Sequence, residues 1–178
     1  MSNLQQRMIR AARLDVSLYE EVERDPMAMG QAMTVVILSS VAAGIGSIST
    51  LGVKGLVLGT IAGLVGWFIW AYLTYYIGTR WFAEPQTRAT HGELLRTIGF
   101  ASAPGVIRVL GVIPVLGWIA SLVGSILMLI AMVVAVRQAL DYSTTGRAVV
   151  VCLIGWIAYM VIGWLAVSIF GGLARPFF

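Results

Sequence analysis

Four stretches of the chain contain no Asp, Glu, Lys or Arg: Pro26–Val53, Gly55–Thr79, Val109–Val136 and Ala148–Ala174. Each exceeds the ~20 residues a helix needs to cross a hydrocarbon core about 30 Å thick. A weaker apolar segment, Leu94–Ile113, carries Arg96 near one end and Arg108 inside. It reads as a further span, interrupted at Pro104-Gly105. The pattern predicts an all-α polytopic bundle of five transmembrane helices over residues 26–174, joined by short loops and preceded by a polar segment over residues 1–25. Short loops make successive spans antiparallel neighbours.

The polar segment has its own periodicity. Leu4, Met8, Ala11, Leu14, Leu18 and Val22 are spaced by three or four residues, a helical stripe. Arg7, Arg10 and Arg13 flank the stripe, and Glu20, Glu21 and Glu23 follow. This predicts an N-terminal amphipathic helix lying along an anionic leaflet, which makes membrane lipids partners, or else packed under its own bundle. Asp25-Pro26 fits an N-cap followed by proline at the first helical position.

Charge distribution fixes the expected orientation. With five spans and a cytoplasmic N-terminus, Arg7, Arg10, Arg13, Arg24, Arg80, Arg88, Arg96, Arg137 and Arg147 fall on the cytoplasmic side. Only Lys54 and Arg175 fall on the far side, and Arg108 lies within a span. Removing the third span would move Arg137 and Arg147 across and weaken the bias, so the positive-inside rule favours five. The expected location is the cell's inner (plasma) membrane, or endoplasmic reticulum and Golgi membranes in a eukaryote.

Composition agrees. Of 178 residues, 59% are hydrophobic and 11% charged, where soluble domains carry about 25% charged residues. Mean hydropathy is +0.90, leaving too few polar side chains to cover a soluble surface. One Cys and one His exclude a disulfide scaffold and argue against a zinc site.

Catalytic patterns fail on their chemistry. His91-Gly92-Glu93 lacks the second histidine of a zincin helix. Ser47 and Ser125 have no histidine at membrane depth to activate them. Gly44-Ile45-Gly46 has no following lysine to make a phosphate loop. No enzyme activity, cofactor or nucleic-acid partner is expected.

Glycine spacing points to helix packing. Gly55, Gly59 and Gly63 recur every four residues, Gly52 and Gly66 extend the face, and Gly117, Ser121 and Ser125 repeat the spacing. Small residues at this period let helix backbones approach in lipid, within the chain, in a homo-oligomer or against another membrane protein. Trp81-Phe82, Tyr75-Tyr76 and Trp118 fall at span ends, as an aromatic belt requires. Trp67 and Trp70 lie deeper. Arg137 and Asp141 stand at i and i+4, and Glu93 and Arg96 share a helix side, which makes a mixed-charge docking surface or solvated loop charges. Pro104 frees a carbonyl near Arg108, so the pair either lines a wet pocket for an anionic group or leaves Arg108 to snorkel.

Two stretches resemble a known family. Phe100-Ala-Ser-Ala-Pro104-Gly-Val-Ile-Arg108-Val-Leu-Gly111, followed by Ile113-Pro114-Val-Leu-Gly117-Trp118, is similar to the third span of compact prokaryotic Yip-domain proteins. Val136-Arg137-Gln-Ala-Leu-Asp141-Tyr-Ser-Thr-Thr-Gly146-Arg147-Ala148 resembles their fourth-to-fifth loop. The resemblance covers roughly residues 15–170 and implies five spans with a cytoplasmic N-terminus. It also implies kinship with Ypt/Rab-interacting proteins, whose eukaryotic members act in early secretory traffic and membrane shaping. Those members carry a longer acidic N-terminal region with a Gly-Pro motif. Asp25-Pro26 is all that corresponds here, so small GTPase binding is not implied. The functional expectation is a non-enzymatic scaffold or adaptor. Its rival is a small transporter or channel component with a site at the broken third span.

The charge tally places Phe178 on the non-cytoplasmic face. A C-terminal reporter active only in the cytoplasm should stay silent, and a strong signal would overturn the five-span topology.

Overall fold

The computed structural model describes residues 3–113 and 116–173. Seven α-helices are formed: α1 Leu4–Ala12, α2 Val16–Arg24, α3 Met29–Gly46, α4 Ile48–Arg80, α5 His91–Ala101, α6 Leu116–Ala139 and α7 Thr145–Leu173. A short 3₁₀ turn, Pro26–Ala28, leads into α3, and a longer 3₁₀ segment, Ala103–Val112, continues α5. Among the described residues, five elements are long and apolar enough to cross a membrane: Pro26–Gly46, Gly52–Arg80, His91–Val112, Leu116–Ala139 and Thr145–Leu165. All five expected spans are present. Pro114, Arg175 and Phe178, and with them the expected position of the C-terminus, lie outside the described residues.

Contacts at small residues give the direction of each span. Gly99 packs on Ala32, Gly105 on Ser39 and Gly111 on Gly46, so the third span runs parallel to α3. Gly44 meets Leu56 and Gly63 meets Ser40, so α4 runs antiparallel to α3. Gly117 lies on Gly111 and Gly124 on Ile107 and Arg108, which makes α6 antiparallel to the third span. Gly66 sits beside Tyr159 and Gly155 beside Thr74, which reverses α7 against α4. The chain therefore alternates between a near end, where α1 and α2 sit, and a far end.

The third span is the centre of the bundle. Of its apolar window, 56% is buried, against 6% for Gly52–Arg80 and 17% for Thr145–Leu165. Every residue from Leu94 to Ala101 is buried. This span is also the least hydropathic, at 1.2 against 2.7 for Leu116–Ala139. A segment wrapped by protein can carry Arg96, Thr97 and Arg108 because it need not face lipid.

The expected interruption sits at Ser102, just before Pro104. Proline removes an N–H and crowds the carbonyl four residues earlier, which ends the α-helix. The chain continues as ten residues of 3₁₀ helix, where such runs usually stop after three or four. Gly46 and Gly111 make the extension possible at the far end. A Cβ on Gly111 would lie 2.7 Å from the Gly46 Cα, and one on Gly46 would collide with the Arg108 carbonyl. Gly52, at φ +63 and ψ −173, supplies the kink that starts the second span.

The N-terminal stripe forms two helices rather than the single one expected. Leu14 takes φ +60 and breaks it, and Asn3 and Asp15 cap the two starts. A stripe spaced by threes and fours is the same for one long helix or two short ones, so spacing alone misses the break. Ala11, Leu18 and Val22 are fully buried. α2 packs on α5 and α6, and α1 on α5 and the 3₁₀ segment.

The close-contact assignment is corrected at Gly59. A Cβ there would meet nothing within 4 Å, whereas Gly63 abuts Ser40 and Gly66 abuts Tyr159. Gly59→Leu should therefore leave thermal stability in detergent near wild type. Gly111→Leu should cost at least ~1–3 kcal/mol, the usual range for overpacking. Equal melting temperatures for the two variants would contradict the Gly46–Gly111 crossing.

Candidate functional site

Two polar regions survive inside this apolar bundle, one at each end. At the near end, Arg7 is 7% exposed yet fully engaged. Its Nε donates to Glu21 Oε1 at 3.0 Å, Nη1 to Gln31 Oε1 at 2.9 Å and Nη2 to Asp25 Oδ2 at 2.9 Å. Arg10 pairs with Asp15 at 2.7 Å and Glu21 at 2.5 Å. Asp15 is held at about 2 by the Ser17 hydroxyl and by Arg10. Two of the three guanidiniums flanking the stripe, those of Arg7 and Arg10, are thus turned onto acids of the hairpin.

Arg96 and Glu93 are occupied inside the fold and form no docking cluster of their own. Arg96 Nε donates to Val22 O at 2.8 Å, and its Nη2 donates to Glu23 O. These are orphan carbonyls at the C-terminus of α2, where a cation also complements the helix dipole. The contact ties α2 to the central span. Glu93 closes a capping box, accepting from Thr90 N–H while the Thr90 hydroxyl accepts from Glu93 N–H. Burial pushes the Glu23 carboxyl up to about 7, reinforced by the negative charges of Asp141 and Glu93.

Arg137 and Asp141 do not pair as their spacing suggested. α6 ends at Ala139, and Asp141 sits at φ +52 in the following turn, so the i,i+4 geometry of a continuous helix is lost. Arg137 instead donates to Tyr142 O at 3.4 Å, Thr145 Oγ1 at 3.1 Å and Ser143 O at 3.3 Å. It holds the loop between α6 and α7. That loop is bound in turn to the one before α5. Glu84 accepts Ser143 N–H at 2.9 Å and the Ser143 hydroxyl at 3.0 Å, and pairs with Arg147 at 3.0 Å. The Ser143 contacts hold the Glu84 carboxyl below its ordinary range. Thr87 donates to Leu140 O, Gln86 to Asp141 O and the Tyr142 hydroxyl to Gly78 O.

The second region is a cavity of about 390 Å³ among α3, α4, the third span, α6 and α7. Gly55, Gly59, Gly63 and Arg108 line it together, with Ser39, Ser40 and Ser47 as further polar wall. Pro104 itself is buried and acts by ending α5. Arg108 donates from Nη2 to Ser125 Oγ at 3.0 Å, and Ser125 donates to Ser121 O at 2.7 Å. Gly105 and Gly63 make room for the hydroxyls of Ser39 and Ser40. Mid-helix serines gave no sequence signal. Only the packing of α3 against its neighbours brings them to the cavity that Arg108 also lines.

The aromatic residues divide as expected. Trp81 and Trp118 are exposed near span ends, and Trp67 is buried with its indole N–H on Leu95 O at 3.1 Å. His91 has both ring nitrogens buried and without a hydrogen-bond partner among the described residues. It sits edge-on to Phe68, Tyr72 and Tyr75 at centroid distances of 5.4, 5.4 and 5.8 Å. Among the described residues, no three His, Cys, Asp or Glu side chains are grouped to hold a metal ion.

Glu23 makes stability pH-dependent. Its folded value of about 7 lies above the ordinary 4.5, so the folded chain binds more protons than the unfolded one between these limits. The contribution of Glu23 to stability is greatest below 4.5 and is lost as pH rises through 7. Glu23→Gln should flatten that part of a melting-temperature profile. An unchanged slope would remove Glu23 as its source.

No curated protein and no solved structure matches the chain. The Yip1 domain family model matches residues 17–167, a stretch that begins in α2, includes the cavity of Arg108 and runs into α7. With its five apolar spans and wrapped central span, the chain is a multi-pass membrane protein belonging to the Yip1 domain family.

Proposed function

We propose that this protein is a non-enzymatic scaffold or adaptor, acting in membrane organisation or trafficking-like processes. Its near end faces the cytoplasm from the inner membrane, or from endoplasmic reticulum or Golgi membranes in a eukaryote. One observation carries the reading: at the near end α2 is tied to the central span, and the loop before α5 is tied to the loop after α6. Arg96 holds α2, Arg137 holds the α6–α7 loop, and Glu84 bridges both loops through Ser143 and Arg147. Ordering paid in advance by intramolecular bonds lowers the entropy cost of binding a partner. The expected partner is a second copy or another membrane protein.

A second reading, a small transporter or channel component, has support of its own. A cavity beside broken backbone with an intramembrane cation is how transporters build substrate sites.

Extraction from native membranes in mild detergent separates the two. An adaptor should co-purify with a stoichiometric partner or itself. Glu84→Ala, which removes the Ser143 and Arg147 ties between the loops, should reduce recovery of that partner while the spans stay folded. A solitary chain that moves solute across liposomes would favour the transporter reading instead.

A further inference from the structure

The far-end cavity holds the positive charge of Arg108. Among the described residues, Arg108 has one side-chain hydrogen bond, to Ser125, and no carboxylate partner. An uncompensated guanidinium within a span is costly, and such groups are retained where they meet an anion or a wet cavity. The space in front of it is built rather than left over. Gly59 faces nothing within 4 Å, and Gly63 is filled only by the Ser40 hydroxyl.

A second cavity adjoins the first. It measures about 360 Å³, is lined by Leu129, Val133, Cys152 and Trp156, and shares Trp70 and Met132 with the cavity of Arg108. Gly124 lies against Arg108 on α6, and Met132 follows eight residues later, about 12 Å along the helix toward the near end. A cationic pocket near the far end thus adjoins an apolar groove nearer the near end, whose walls Leu129, Leu153 and Trp156 are exposed on the outer face of the bundle. At their junction, the Trp70 indole N–H is buried without an acceptor among the described residues.

We propose that the two cavities together bind one anionic phospholipid of the far leaflet. Its phosphate sits on the Arg108 fork beside the Ser39 and Ser40 hydroxyls. One acyl chain passes Trp70 and Met132 into the crevice. Guanidinium pairs phosphate through parallel N–H groups, and phosphate is the anion the headgroup layer supplies. Each cavity lies in the size range of small-molecule sites. The assignment concerns occupancy, so it is independent of either functional reading above.

The test uses the full chain in mild detergent, melted with added phosphatidylglycerol, phosphatidylcholine or inorganic phosphate. Phosphatidylglycerol at about 100 times its Kd should raise the wild-type Tm by roughly 5–10 °C. Phosphatidylcholine and inorganic phosphate should each give less than half that shift. Arg108→Leu should abolish it by removing the charge. Gly59→Leu, which fills the pocket away from the guanidinium, should also abolish it and keeps the test open if the arginine variant does not fold. Native mass spectrometry should find one phosphatidylglycerol per wild-type chain. Full retention of the shift in either variant would overturn the site. An equal shift from phosphatidylcholine would overturn its charge selection, and an equal shift from inorganic phosphate would overturn the role of the acyl crevice.

Discussion

Backbone that leaves the α-helix inside a bilayer must be enclosed by protein, because hydrocarbon offers nothing to its N–H and C=O groups. Pro104 creates that obligation in the third span, and the remaining elements are arranged around it. α3 runs alongside, meeting it at Ala32, Ser39 and Gly46, and α6 covers it from Gly117 to Met128. α1 and α2 close over α5 and the start of the 3₁₀ segment. The outer faces of α4 and α7 remain for lipid or a partner, with Phe68, Tyr72, Trp156 and Trp164 more than half exposed.

The same enclosure explains where the charges went. Arg7, Arg10 and Arg96 look in sequence like cations for a membrane surface or a docking patch. Each finds an oxygen within the fold, because the hairpin brings Glu21, Asp25 and the end of α2 beneath the central span. Arg108 is placed differently. The far end brings it hydroxyls but no acid among the described residues, and its charge faces a cavity.

Spans were legible because lipid forbids charge over some twenty residues, a constraint written residue by residue. The break at Pro104 was legible because proline acts locally. Other features depend on one dihedral or on the space left between several helices. Leu14 at φ +60 splits the hairpin without disturbing the apolar spacing, and Asp141 at φ +52 ends a helix that spacing would continue. Gly59 and Gly63 share a face, yet one looks into a cavity and the other onto Ser40. Periodicity assigns both to a face and cannot say what stands opposite.

The weak hydropathy of the central span bears on how the chain enters its membrane. At 1.2 it has the least drive of the five to partition into lipid, while Gly52–Arg80 before it and Leu116–Ala139 after it stand at 1.9 and 2.7. A nascent chain that has exposed only α3, α4 and α5 holds a proline-broken, arginine-bearing segment with its α6 wall still missing. Such a segment is disfavoured in lipid on its own, and its burial depends on the wall that α6 supplies.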